Sequence, residues 1–110
     1  MSAVYVNNLA INAGSDFSQT FILEQFDNSL LDLSNYQVKS QLRKWYGSSS
    51  FVEFTASIFS GGRLIISLTS EQTKNIEPGR YLYDILITDP FLVTSRVVEG
   101  MAIVSGGVTK

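Results

Sequence analysis

One stretch constrains the fold more than any other: Pro78-Gly79-Arg80-Tyr81-Leu82-Tyr83-Asp84-Ile85-Leu86-Ile87-Thr88-Asp89. Pro78 fixes its own φ and has no N–H, and Gly79 tolerates positive φ, so the pair suits a tight bend. From Tyr81 the residues alternate. Tyr81, Tyr83, Ile85 and Ile87 share one face, and Leu82, Asp84, Leu86 and Thr88 share the other. A period of two in a β-branched and aromatic run is the pattern of a strand with one buried face. Such a strand needs neighbours, and the rest of the chain reads as a set of them.

Before the bend, Val4 to Asn12 is extended, with an irregularity at Asn7-Asn8, and Ala13 to Asp16 is a turn. Phe17 to Glu24 is a strand with Phe17, Gln19, Phe21 and Leu23 on its core face; Gln19 there needs a hydrogen-bond partner if buried. Phe26 to Ser29 is a polar connection, and Leu30-Leu31 plug one end of the core. Tyr36 to Trp45 is a strand with Val38, Ser40 and Leu42 inward and Lys39, Gln41 and Arg43 outward. Tyr46 to Ser50 is a flexible loop of small polar residues. Phe51 to Phe59 is one strand with Phe54, Ala56 and Ile58 on one face. Gly61-Gly62 suits the positive φ of a hairpin turn before the strand Leu64 to Leu68.

Thr69-Ser70-Glu71-Gln72 fits a capping box, and Pro78 limits the helix it starts to one or two turns. After the Pro78 strand, Asp89-Pro90 opens a turn, Thr94 to Val104 is the last strand, and the remainder is a tail. Seven short strand candidates punctuated by Gly, Pro, Asn and Ser predict an all-β, immunoglobulin-like antiparallel sandwich, with one helical turn near residues 70–76 and a small closed barrel as the alternative. In such a sandwich Tyr81 or Tyr83 can lock a corner, its hydroxyl bonding backbone near Thr73 to Ile76.

The 110 residues make one domain, 1–110, and at 45% hydrophobic the chain can bury a core. Its 8 basic and 10 acidic residues are scattered, which leaves no basic footprint for nucleic acid. No apolar run is long enough to cross a bilayer, and Met1-Ser2-Ala3-Val4-Tyr5 lacks the features of a signal peptide. Neither a nucleic acid nor a membrane is therefore expected as partner. The absence of Cys and His removes disulfides, thiolate chemistry and the usual metal ligand and proton shuttle, so no cofactor is expected.

No residue set carries a convincing reaction, and no catalytic or metal residue is assigned. Asp84 and Glu99 can face the same way on adjacent strands, as glycosidase carboxylates do, but a flat sheet face supplies no cleft. Charge pairing with Arg43 and Lys39 is the simpler reading. Asp27, Asn28, Asp32, Ser34 and Asn35 do not match a calcium-loop spacing and suit turns. Ser48 to Ser50 lacks a base, and Gly61-Gly62-Arg63 lacks the helix a phosphate cradle uses.

The outward positions are more informative. Leu82 and Leu86 point away from the core face, and Val97, Met101 and Ile103 point outward if Val98, Gly100, Ala102 and Val104 point inward. On neighbouring strands these five form an apolar patch of the kind that marks protein contacts. Trp45 and Tyr46 beside Arg43-Lys44 resemble a sugar or single-strand platform, but residues of this type more often form a docking hot spot.

The order Gly14-Ser15-Asp16-Phe17 to Thr20-Phe21, Asp32-Leu33-Ser34-Asn35-Tyr36 to Gln41-Leu42-Arg43-Lys44, Leu68-Thr69-Ser70-Glu71-Gln72-Thr73, Pro78 to Asp84 and Glu99-Gly100 resembles a family of small tailed-phage structural domains. These immunoglobulin-like modules occur alone or as the N-terminal domain of baseplate proteins, such as the upper baseplate protein that carries receptor-binding fibres. The chain is also similar in character to small virion proteins of large phages that infect cyanobacteria. The resemblance covers about Ile11 to Val104. It departs at Gln19, where the family tends to be apolar, and the 110 residues hold no second module of the fibre-anchoring kind, so a fibre-anchoring role through one is not expected. It implies a non-enzymatic virion component of tail, neck or baseplate, assembled in the host cytoplasm and contacting other virion proteins and copies of itself. Capsid decoration and a carbohydrate-binding adhesion module are the alternatives.

Overall fold

The alternating run after Pro78 forms a ten-residue strand, Gly79–Thr88, with Tyr83, Ile85 and Ile87 buried. The structure, a computed structural model, describes residues 5–24 and 32–108. Within them the elements are β1 (Tyr5–Val6), β2 (Leu9–Asn12), β3 (Phe17–Ile22), β4 (Gln37–Arg43), β5 (Phe51–Glu53), β6 (Thr55–Phe59), β7 (Arg63–Leu68), α1 (Ser70–Lys74), β8 (Gly79–Thr88) and β9 (Thr94–Ser105). The connection Phe26 to Ser29, the leucine plug Leu30-Leu31, and Asp27 and Asn28 lie outside the described residues.

Two sheets form. One runs β1-β9-β8-β4-β5, with β2 also on β9; the other runs β3-β7-β6. Their inner faces share one core, to which β8 and β9 bring Ile85, Ile87 and Val98, and β7 brings Leu64, Ile66 and Leu68. The expected sandwich is thus the fold found. It is not wholly antiparallel, because β1 and β2 pair with β9 in parallel.

Two strand readings change. Phe51 to Phe59 is two strands: β5 pairs with β4, whereas β6 pairs with β7 in the other sheet. Phe54 sits at the crossing, buried, and its N–H bonds the Ser40 carbonyl at 3.0 Å. A strand that leaves one sheet for the other must break its ladder, and a buried aromatic at the break fills the space between the layers.

Of the Val4–Asn12 run, the part from Tyr5 keeps a single register along β9, from Tyr5↔Val98 to Leu9↔Ala102, and is interrupted at Asn7-Asn8 as expected. The interruption lies over Gly100, where any Cβ would run into the Asn7 carbonyl. That carbonyl accepts a hydrogen bond from the Tyr83 hydroxyl at 2.6 Å, and Asn8 Oδ1 accepts from the Met101 N–H at 3.1 Å.

The second change is in β9. Ile85 pairs with Val98 but Leu86 with Arg96, so Val97 is an extra residue in a bulge. Val97 and Val98 are both fully buried. The outward assignment of Val97 is therefore corrected: a bulge places two successive residues on one side, which an uninterrupted period of two cannot represent.

The connection between the sheets is pinned by α1. Thr69 accepts from the Gln72 N–H at 3.2 Å and Gln72 Oε1 accepts from the Thr69 N–H at 2.8 Å, completing the capping box. The Asp16 carboxylate accepts from the Ser70 N–H at 2.7 Å. The buried Thr73 hydroxyl donates to the Ser15 carbonyl at 2.8 Å and accepts from the Gly14 N–H at 3.0 Å. Tyr81 supplies the corner bond, to the Glu77 carbonyl at 2.6 Å, one residue past the expected segment. Gln19 is half-buried on β3, at the sheet edge, with its amide reaching the Thr20 carbonyl at 3.5 Å. Gly61 and Gly62 take φ of 77° and 71°, in a loop of three residues between the paired Phe59 and Arg63.

Replacing Tyr83 with Ala removes a buried ring from between the layers and should cost about 3–5 kcal/mol in urea denaturation; a loss under about 1 kcal/mol would contradict this burial. Gly100→Ala should destabilise by about 1–3 kcal/mol through overpacking against the Asn7 backbone. Hydrogen exchange should report that loss first at Leu9 to Asn12.

Candidate functional site

The outer face of the larger sheet is built by the alternation of β8 and its two neighbours. Leu82 stands between Arg43 of β4 and Met101 of β9, Asp84 between Gln41 and Glu99, and Leu86 between Lys39 and Arg96. A depression of about 560 Å³ opens on this face. Leu82, Leu86 and Met101 line it, Val6 and Tyr46 border it, and Arg43, Asp84, Arg96 and Glu99 supply its charge. The face is therefore dished rather than flat, because β1 and the Tyr46 loop stand at its edges.

Of the expected patch, Leu82, Leu86 and Met101 come together here. Ile103 is exposed on the same side of β9 but lies opposite Arg80, outside the depression. Val97 is in the core. Trp45 and Tyr46 are both strongly exposed in the β4–β5 loop, and only Tyr46 reaches the depression.

The expected ion pairs of Asp84 and Glu99 with Arg43 and Lys39 are replaced by one between Asp84 and Arg96, with Oδ2 to Nε at 3.4 Å. The bulge explains this, since it turns Arg96 outward beside Leu86. Arg43 is engaged elsewhere. Its guanidinium stacks on Phe51 at 4.6 Å, donates to Gln41 Oε1 at 2.8 Å and bonds the Ser48 carbonyl. This orders the loop expected to be flexible: Ser48 is buried, its N–H bonds the Trp45 carbonyl at 3.0 Å and its hydroxyl the Ser50 carbonyl at 3.0 Å.

Asp32 uses its carboxylate in a turn. Oδ1 accepts from the Ser34 hydroxyl at 2.6 Å and N–H at 3.0 Å, which holds the Asp32 pKa below its ordinary value. Among the described residues no three acidic side chains are placed to hold a metal ion, and no helix is long and apolar enough to cross a membrane. Burial and the negative charge of Glu77 raise the Tyr81 pKa. Burial alone pushes Tyr83 up to about 12, because the phenolate loses its water.

A feature that sequence reasoning missed is the β8–β9 connection, where Phe91, Leu92 and Val93 are exposed together. The three adjacent apolar residues after Asp89-Pro90 were the available signal, in a stretch read only as a turn.

No family model matches this sequence, and no curated protein does. Solved structures do match by shape. The titin M3 domain gives a TM-score of 0.51 at 8% identity, covering 94% of this chain and 93% of that one. The GspB Siglec domain gives 0.52 at 13% identity, covering 91% of this chain and 54% of that one, so this chain spans about half its length. The fold is an immunoglobulin-like all-β sandwich. Likeness at such low identity carries the fold and no activity.

The Tyr83 phenol ionises near 10.0 unfolded and near 12 folded. Stability that depends on the neutral phenol is complete below pH 10 and is lost as pH rises through 12. Wild-type stability should therefore fall more steeply than that of Tyr83→Phe over this window in urea titrations. Parallel curves would mean that the phenol is already solvated.

Proposed function

We propose that this chain is a non-enzymatic structural component of a tailed-phage virion, in the tail, neck or baseplate, which acts through protein–protein contacts in a symmetric assembly. The phage setting is supported by the sequence resemblance that covers about Ile11 to Val104. The contact role is supported by one observation above others: Leu82, Leu86 and Met101 meet in a depression on the solvent side of a sheet whose other side already holds the core. A sandwich strand needs only one buried face, so apolar residues on the second face suit a partner surface. In a ring, modest contacts of this kind add through effective concentration.

Capsid decoration would use the same face in another layer of the particle. Adhesion to carbohydrate is the second reading, favoured by the exposure of Trp45 and Tyr46.

The paired substitutions Leu86→Glu and Met101→Glu should leave a folded chain yet abolish its incorporation into particles, as counted by quantitative mass spectrometry against the major capsid protein. Normal incorporation of the pair would remove this face as the contact. In wild-type particles, tens of copies or fewer fit tail, neck or baseplate, and hundreds fit decoration. Specific glycan binding lost in Trp45→Ala would favour adhesion instead.

A further inference from the structure

The β8–β9 connection holds Phe91, Leu92 and Val93 at 88%, 81% and 58% exposure. Water-facing apolar side chains are common singly, but here three are consecutive at the end of the longest hairpin. Their backbone is tightly held. Asp89 Oδ1 accepts from the N–H groups of Phe91 and Val93, both at 2.9 Å. The Asp89 N–H bonds the Val93 carbonyl at 2.9 Å, and the Leu92 N–H bonds the Asp89 carbonyl at 2.9 Å. The Thr88 and Thr94 hydroxyls meet at 2.9 Å across the base. Leu92 takes a φ of 66°, a region a branched side chain rarely occupies unless its surroundings enforce it. The loop is thus a preformed apolar knob, with little ordering entropy left to lose on contact.

We propose that this knob seats in the outer-face depression of a second copy of the chain. Both halves of the contact lie on one molecule but do not meet within it: Leu86 of the depression lies only two residues before Thr88, yet Phe91, Leu92 and Val93 all remain exposed. Charge points the same way. The Asp89 carboxylate is used by the loop's own N–H groups, and no Lys or Arg occurs from Thr88 to Ser95, so the knob suits neither an anionic lipid surface nor an acidic partner. In the depression, Asp84 is paired with Arg96 and Arg43 with Gln41 and Ser48, while Glu99 stands beside Asp84 facing water, so Leu82, Leu86 and Met101 are the surface an apolar knob can use. A knob-to-depression contact is heterologous. After one contact, one copy still has a free depression and the other a free knob, so the series closes into a ring or continues as a filament. This deepens the proposed function and rests on that reading for its place in a particle.

Sedimentation velocity of the purified chain over a concentration series tests the contact. The wild type should associate as concentration rises. Phe91→Asp, which removes the knob, and Met101→Asp, which spoils the depression, should each weaken association at least tenfold while keeping the wild-type circular dichroism and melting curve. If Met101→Asp does not fold, Val6→Asp at the depression edge takes its place. Mixing the two variants should restore a single contact between the intact depression of one and the intact knob of the other, giving a one-to-one dimer that grows no further. A wild type that stays monomeric to about 1 mM, a regime of contacts worth about 4 kcal/mol, would overturn the proposal. So would undiminished association of Phe91→Asp, or a mixture that forms no dimer. Association through the knob by a chain absent from particles would sink the virion reading alone. A monomeric chain whose incorporation depends on Leu86 and Met101 would sink the knob contact alone.

Discussion

The fold depends on a buried phenol that must find an acceptor. Tyr83 lies in the core, and a hydroxyl there without a partner is strongly penalised. Its partner is the Asn7 carbonyl, 76 residues away in sequence. That bond fixes the N-terminal strand across β9, covers a sheet edge that would otherwise be open, and requires Gly100 beneath it. The Tyr83 ring packs edge-on against Phe54 at 6.3 Å, and Phe54 against Phe17 at 6.1 Å. Phe54 marks where the chain changes sheets, so one line of aromatic contacts joins the N-terminal strand, the central strand, the crossing and the second sheet.

The outer face follows from that arrangement. With Tyr83, Ile85 and Ile87 committed inward, Leu82 and Leu86 have to face outward, and the antiparallel register sets Met101 beside Leu82. β1, held by the Asn7 bond, raises one edge of the depression, and the Arg43–Ser48 tie brings the Tyr46 loop to border it. The bulge at Val97 then decides the charges, moving a valine into the core and turning Arg96 toward Asp84. The apolar surface is thus left beside the Asp84–Arg96 ion pair.

Features governed by neighbours in sequence were legible. The capping box, the positive φ of Gly61 and Gly62, the turns and the core alternation of β3, β4, β7 and β8 depend on residues a few positions apart. The corner tyrosine was legible as one of two candidates, and its acceptor to within one residue. Features set by a partner strand were not. Nothing local marks the parallel seat of β1 and β2, the passage of the chain between sheets at Phe54, or the choice of Arg96 over Arg43 for Asp84. The apolar run Phe91 to Val93 was visible, but its exposure was not, since adjacent apolar residues are as often buried.

By itself the sequence determined an all-β chain with one face of each main strand committed to a core, because side-chain alternation and turn chemistry are local. It also determined that neither thiol nor imidazole chemistry occurs in the chain, because Cys and His are absent. Tertiary structure alone decided which outward residues meet. Register and bulges are set by packing between strands distant in sequence, and a slip of one residue exchanges the two faces. It therefore assigned Val97 to the core, Leu82 and Met101 to one depression, and Phe91 to the tip of a rigid knob.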